Sequence, residues 1–289
     1  MKAFPIIGSC GLILALSGCV LSQQEPPPKE IQNAEITVGT VQVEDYRGMI
    51  VGARALAFFQ RAKRQTQIER PSYVSRIEAL VNSGYECQSQ TVESTSGETE
   101  TTFLDAGNVT LGSALGGGTI PMDKSDKNRY RVDINSNYPA GLYEVQASGT
   151  SSVPGFKQAY LSLPEVLEDG SVNGTRFEDG GVISVNAPLR LSWRAPAYQD
   201  KNNFMYAEIS VPSSETALQI ISCGVEEKAF FGGDSYYNWE IAQNWLANLP
   251  VGKSANILLV RAHKAAVQGD SLYLLLNGMR LYYGMALLQ

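Results

Sequence analysis

Histidine is nearly absent from this chain of 289 residues, His263 being the only one. That excludes any chemistry needing two imidazoles and leaves a Ser-His-Asp or Cys-His mechanism open only if His263 is its base. Cysteine is scarce as well, at four, and no close-spaced pair of cysteine or histidine ligands exists, so no metal site is expected. Positive charge is in short supply: 23 Lys and Arg face 29 Asp and Glu, for a net charge of -6. The one basic cluster, Arg61-Ala62-Lys63-Arg64, reads as the flank of a strand, and without a basic face the chain is not expected to bind nucleic acid. No apolar run reaches the roughly 20 residues that a transmembrane helix requires. No cofactor motif is present.

What the chain does have is an export signal. Lys2 gives a short basic start, residues 6–16 form an apolar run, and small residues lead up to Cys19. Leu16-Ser17-Gly18-Cys19 resembles the lipobox of bacterial lipoproteins. The resemblance implies cleavage before Cys19, acylation of its thiol and new amino group, and attachment to a membrane through that lipid. Two or more acyl chains anchor stably where one does not. Val20, rather than Asp, in the second mature position points by the family's sorting rule to the outer membrane, facing the periplasm or the cell surface. Residues 1–18 are therefore expected to be a signal peptide. Residues 19–45, carrying Gln23-Gln24-Glu25-Pro26-Pro27-Pro28-Lys29-Glu30, are expected to be a lipidated N-terminus and disordered tether. Such processing discards Cys10 and commits Cys19 to lipid. Cys87 and Cys223 then remain in an oxidising compartment, as one disulfide or as two buried thiols.

Beyond the tether the pattern is mostly β. Residues 51–59 read as a strand, and residues 85–93 and 100–104 as a hairpin around Ser94-Thr95-Ser96-Gly97. Tyr130, Val132 and Ile134 alternate with charged residues, as do Tyr143, Val145 and Ala147 with polar ones, which predicts two strands paired through the 135–141 loop. Residues 108–111, 159–163, 189–194, 205–211, 217–225, 257–263, 272–276 and 279–288 read as further strands. Two helices are expected. One runs from a Ser72 cap through Tyr73, Ile77, Leu80 and Val81 to Gly84; the other from Asp234 or Ser235 through Ile241, Trp245 and Leu249 to Pro250.

Short strands separated by Gly, Pro, Asn and Asp turns predict a mainly β fold of two tandem antiparallel β-sandwich domains, 46–166 and 167–289, with one or two short helices. Three stretches resemble a group of bacterial lipoproteins built from immunoglobulin-like sandwiches: Phe103-Leu104-Asp105-Ala106-Gly107-Asn108-Val109-Thr110, Tyr138 through Gly149, and Leu189-Arg190-Leu191-Ser192-Trp193. The resemblance implies fold and location and transfers no functional residue.

Several apparent motifs dissolve on inspection. Gly269-Asp270-Ser271-Leu272 spells the signature of a serine esterase family, but it stands late in the chain, amid strands, without the partner DxxH. His263 reads as a satisfied surface histidine. Asp133, Asn135, Asn137 and Glu144 have the spacing of calcium ligands, yet position 6 is Tyr138 and the flanks are strands, leaving at most a weak calcium loop. Tyr236, Tyr237 and Trp239 read either as a sugar- or protein-binding loop or as core. No catalytic residue is assigned. The functional expectation is a non-catalytic binding, adaptor or structural module whose partners are the membrane, through its lipid, and another envelope protein or a glycan. The alternative is an envelope hydrolase using a carboxylate pair drawn from Glu168, Asp169, Glu178 and Asp179.

Overall fold

The computed structural model describes residues 36–62, 80, 87–93, 103–114, 118–134, 138–231 and 235–289. In chain order the strands are β1 (Ile36–Gly48), β2 (Gly52–Ala62), β3 (Gln88–Glu93), β4 (Val109–Ser113), β5 (Thr119–Pro121), β6 (Asp123–Lys124), β7 (Tyr130–Ile134), β8 (Gly141–Ala147) and β9 (Phe156–Leu163). The second half adds β10 (Ser171–Val172), β11 (Thr175–Arg176), β12 (Gly181–Ile183), β13 (Leu189–Arg194), β14 (Asn203–Pro212), β15 (Ala217–Glu226), β16 (Tyr236–Ile241), β17 (Ser254–Gln268) and β18 (Leu272–Leu288). The fold is mainly β.

One sheet of ten strands underlies everything. Its order is β3-β15-β14-β17-β18-β1-β2-β7-β6, and β12 joins β18 beyond the end of β1. Two four-stranded sheets, β5-β4-β8-β9 and β11-β10-β13-β16, pack on it. The 17-residue β18 shows how. Side chains two apart on a strand share a face, and along one face of β18 Leu274 and Leu276 enter a first core while Tyr282, Ala286 and Leu288 enter a second. Both small sheets therefore cover the same face, side by side. The first core draws on β1, β2, β4, β8 and β9 and is centred on Val41, Phe59, Leu111, Val145 and Leu161. The second draws on β13 to β17 and is centred on Trp193, Met205, Ile221, Ile257 and Leu259. On the opposite face Leu80, Tyr206, Leu258, Val260 and Leu281 form a smaller third core.

Several expectations change. The tether does not reach residue 45, because Ile36–Gly48 is a strand whose Val38, Val41 and Val43 are wholly buried. Its polar residues Gln42, Glu44 and Asp45, which read as tether, are buried as well. The sheet is mixed rather than antiparallel: β1 and β12 both run parallel to β18. Strands β7 and β8 do not form a hairpin. β7 pairs with β2 and β6 in the large sheet, whereas β8 pairs with β4 and β9 in a small one. Their apolar faces meet across the first core, so the connection crosses between layers.

β3 pairs with β15, and residues 94–102, most of the expected hairpin's turn and second strand, lie outside the described residues. The helix expected over 235–249 is strand β16 followed by a single turn, Gln243–Leu246. Tyr237 and Ile241 have the two-residue period of a strand, and the register with β13 sets Trp193 opposite Tyr237 and Leu189 opposite Ile241. The two last strands are one, since Asn277-Gly278 continues the ladder with β17. The helix expected over 72–84 lies outside the described residues except for Leu80. The boundary expected at 166 and 167 falls on chain passing between the two cores, but residues 32–289 form one compact unit because the sheet beneath is continuous.

Gly278 is where that chain crosses closest. A Cβ there would stand 2.0 Å from the backbone oxygen of Ser162, so only glycine lets the end of β9 lie directly on β18.

The three stretches that carried the family resemblance are structural. Tyr130 donates to Asp105 Oδ1 at 2.9 Å and accepts from the Ala106 amide at 2.8 Å. Burial pushes its hydroxyl pKa up to about 12, so it remains a donor at neutral pH. Gly107 takes a positive φ of 74° where a side chain would collide with Ser148. Ser148 and Gly149 donate their amides to Asn108 and Ala106, fastening residues 105–108 to the end of β8.

Candidate binding cleft at the seam

Between the two cores the covered face of the large sheet carries charge instead of apolar side chains. On β17 the residues facing the small sheets are Ala255, Ile257 and Leu259, and the next in phase is Arg261. On β18 the phase of Leu274 and Leu276 continues through Gly278 to Arg280. The register sets Arg261 opposite Arg280, and Arg280 beside Asp45 of β1. All three side chains are essentially inaccessible to solvent.

Two adjacent buried cations would be untenable without partners, and each is paired with a buried carboxylate. Arg280 pairs with Asp45 and donates from Nε to Pro164 O at 2.8 Å and from Nη2 to Tyr138 O at 2.9 Å. Burial pulls its pKa down, and Asp45 opposes that shift. Arg261 pairs with Glu227, its Nε 2.8 Å from Oε1 and its Nη2 3.0 Å from Oε2. It also donates to Glu165 O at 3.0 Å and Tyr198 O at 3.1 Å. Burial pushes the Glu227 carboxyl up, against the pull of Arg261 and the Asn203 amide. The two guanidiniums thus hold the carbonyls of Pro164 and Glu165, the link from β9 into the second half, while Tyr282 accepts from the Leu167 amide.

Above this row opens a cleft of about 620 Å³ whose walls include Arg47, Tyr138, Glu165, Glu168, Arg194 and Arg280. One wall is Tyr138-Pro139-Ala140, with Tyr138 stacked on Tyr143 at 4.6 Å between ring centroids. The other is Ala195-Pro196-Ala197, beside Arg194. A groove with proline, an aromatic face and charges of both signs is suited to holding a peptide or a sugar by contact and hydrogen bonding.

The carboxylates singled out in sequence are engaged otherwise. Arg194 joins Glu168 at 3.2 Å and Asp169 at 2.5 Å, and Tyr236 donates to Asp169 at 3.0 Å. The Tyr236 hydroxyl and Arg194 hold the Asp169 carboxyl below its usual range, which suits an ion pair and not a proton donor. Glu178 and Asp179 stand exposed on a single 3-10 turn, Phe177–Asp179, whose Phe177 plugs into the second core.

His263 is not a surface residue. Its ring keeps 13% of its exposure and faces Asp200 at 3.8 Å, and burial pulls its pKa below the ordinary value. Ser271 lies in the tight β17–β18 turn, where its carbonyl accepts from Thr37, and Gly269 donates to Leu272 O at 2.8 Å. His263 lies well inside that hairpin, opposite Gly278.

Of the candidate calcium ligands, the two described ones stand on strands of different sheets. Asp133 on β7 is paired with Arg131 at 2.7 Å, Glu144 on β8 accepts from the Gln158 amide at 2.9 Å, and Asn135 and Asn137 lie outside the described residues. Among the described residues no group of three or more His, Cys, Asp and Glu is placed to hold a metal ion. Tyr237 is core, packed with Trp193 and Phe230, while Tyr236 is exposed. Cys87 and Cys223 are brought together as a disulfide across the β3–β15 pair. Cys19 lies outside the described residues, among which no helix is long and apolar enough to cross a membrane.

Sequence reading missed the two arginines. The available signal was a charge in the buried phase of two otherwise apolar strands.

No family model and no curated protein matches the chain. Solved structures that match include the crystal structure of chicken CNTN1 FN1-FN3 domains, at 12% identity with a TM-score of 0.24, covering 84% of this chain and 67% of that one. The structure of the Yersinia pseudotuberculosis adhesin InvE matches at 7% identity with a TM-score of 0.20, covering 83% of this chain and 58% of that one. Superpositions at these scores carry no argument about fold or function.

Proposed function

We propose that the chain is an outer-membrane lipoprotein, anchored by lipid on Cys19, that acts as a non-catalytic binding, adaptor or structural module toward another envelope protein or a glycan. The address rests on the lipobox at Leu16 to Cys19, and the Cys87–Cys223 disulfide suits the oxidising compartment that address requires.

The observation that carries the functional reading is the seam. Its buried charges are consumed in fastening backbone carbonyls, Glu168 at its rim is tied to Arg194, Glu165 accepts from the Tyr198 amide, and the walls are completed by Tyr138, two prolines and arginine. Such a surface recognises; it supplies no poised acid and base.

The test is in-cell cross-linking and affinity capture of the full-length protein, in parallel with Arg194→Ala and Tyr138→Ala. Near-stoichiometric recovery of one envelope component, weakened by either substitution, is the expected result. Turnover of peptidoglycan or model glycosides by the purified protein, lost in Glu178→Gln or Asp179→Asn, would overturn it in favour of the hydrolase. Fatty-acid labelling of wild type but not Cys19→Ala tests the anchor separately.

A further inference from the structure

The turn between β1 and β2 exposes three large apolar side chains in succession. Met49, Ile50 and Val51 retain 51%, 51% and 64% of their full exposure. The turn is fixed in place, since the Met49 amide donates to Tyr283 O at 3.0 Å. Beside it, on the face of β18 turned away from the small sheets and beyond the third core, Met285 and Leu287 are exposed too, and Val182 of β12 lies next to Leu287 in register. Contiguous exposed apolar surface of this kind marks a contact site.

The flanks of the turn indicate what it contacts. Tyr46 and Tyr283 stack below it at 6.0 Å, and Arg54 lies over the Tyr46 ring at 5.1 Å. Arg47 and Arg54 reach solvent, whereas the carboxylates they pair with, Asp45 and Glu44, are wholly buried. From Glu44 to Arg54, then, solvent meets only apolar, tyrosine and arginine side chains. The nearest strand contributes one exposed carboxylate opposite Arg54, Asp133, and it is paired with Arg131. Apolar residues at a tip with tyrosine and arginine at its base match the depth profile of a bilayer interface, where acyl chains lie beneath anionic headgroups.

We propose that the β1–β2 turn inserts Met49, Ile50 and Val51 into the surface of the membrane that holds the lipid anchor. The contact rests on the lipoprotein reading only for its geometry. Residues 20–35 can span about 55 Å when extended, and the 13 residues of β1 cover about 43 Å. The tether therefore reaches from Cys19 past the length of β1, so the anchor and the tip can meet one leaflet. Two attachment points would fix the tilt of the sheet and with it the direction in which the seam cleft opens, for Arg47 belongs to both the cleft wall and the base of the tip.

The test places a photo-cross-linking amino acid at position 50 of the full-length chain in cells, with position 142, exposed on β8, as control. Lipid adducts at 50 and none at 142 are expected. A protein adduct at 50, or none, would overturn the proposal. A second arm uses the Cys19→Ala chain with vesicles of zwitterionic and anionic phospholipid. Weak, salt-sensitive binding should fall about tenfold or more in Ile50→Asp, and binding unchanged by that substitution would also overturn it. Because this arm needs no acylation, failure of the anchor reading shows only as absent label on Cys19.

Discussion

The two cores lie on the same face of the same sheet, yet they are closed in different ways. The first is closed around Phe59, which packs against Tyr130 and Phe156, and by a corner of hydrogen bonds in which Tyr130 locks Asp105 and Ala106, with no cross-link among its described residues. The second is sealed by an aromatic cluster, Trp193 against Phe230 and Tyr237, and its outer strands are cross-linked by Cys87–Cys223. Neither owns β17 or β18. Side by side, the cores show that division into two sandwiches is a property of the covering layers and not of the sheet, and that the seam exists because the covering layers leave a gap which charge must fill.

Breaking the seam should produce the largest effect, and it should be felt on both sides. Arg280→Met leaves buried Asp45 with only the partly exposed Arg47 as its cation and frees the carbonyls of Tyr138 and Pro164; removal of one partner of a buried pair costs about 3–5 kcal/mol. Denaturant titration of the variant should show that loss, with faster amide exchange in peptides from β9 and β13 alike. Trp193→Ala, a cost of about 3–5 kcal/mol from the cavity, falls on the second core directly, and its excess exchange should begin in β13 and β16. Gly278→Ala is smaller, about 1–3 kcal/mol for a side chain forced into a packed site, and should loosen β9 while leaving Trp193 fluorescence near the native value.

The smallest effect is a slope with pH. His263 has a folded pKa below its ordinary value of about 6.5, so the unfolded chain takes up the proton first. The stability this contributes is complete above about 6.5 and is lost as pH falls from there toward the folded value. His263→Gln should flatten the change in urea midpoint between pH 7.5 and pH 5.5, over a background to which Glu227, its carboxyl pushed up by burial, contributes with the opposite sign.

Much of the strand set was legible because half-buried strands alternate with a period of two, as in β7, β8, β13 and β14. β1 was not, because it is buried on both faces and carries Gln42 and Glu44 on one and Asp45 on the other, whose burial depends on distant partners such as Arg54 and Arg280. The pairing of β7 with β8 failed for a related reason: alternation gives the phase of a strand but not its layer, and a short connection can cross a sandwich as readily as turn within a sheet. The sequence over β16 suggests a helix because Ile241, Trp245 and Leu249 have helical spacing, while the competing two-residue period of Tyr237 and Ile241 acquires its weight only from β13. At the site, the rim carboxylates were visible as residues but not as partners of Arg194. The arginines that organise the seam could have been flagged only by asking why a charge occupies an apolar phase.

The most direct test of the shared sheet is equilibrium urea unfolding of the disulfide-intact protein by two probes. All three tryptophans, Trp193, Trp239 and Trp245, belong to the second core, so their fluorescence reports that half, while amide exchange in peptides from β4 and β8 reports the first. A continuous sheet predicts coincident transitions with one midpoint. Two separated midpoints, with the first core surviving loss of the second or the reverse, would contradict it.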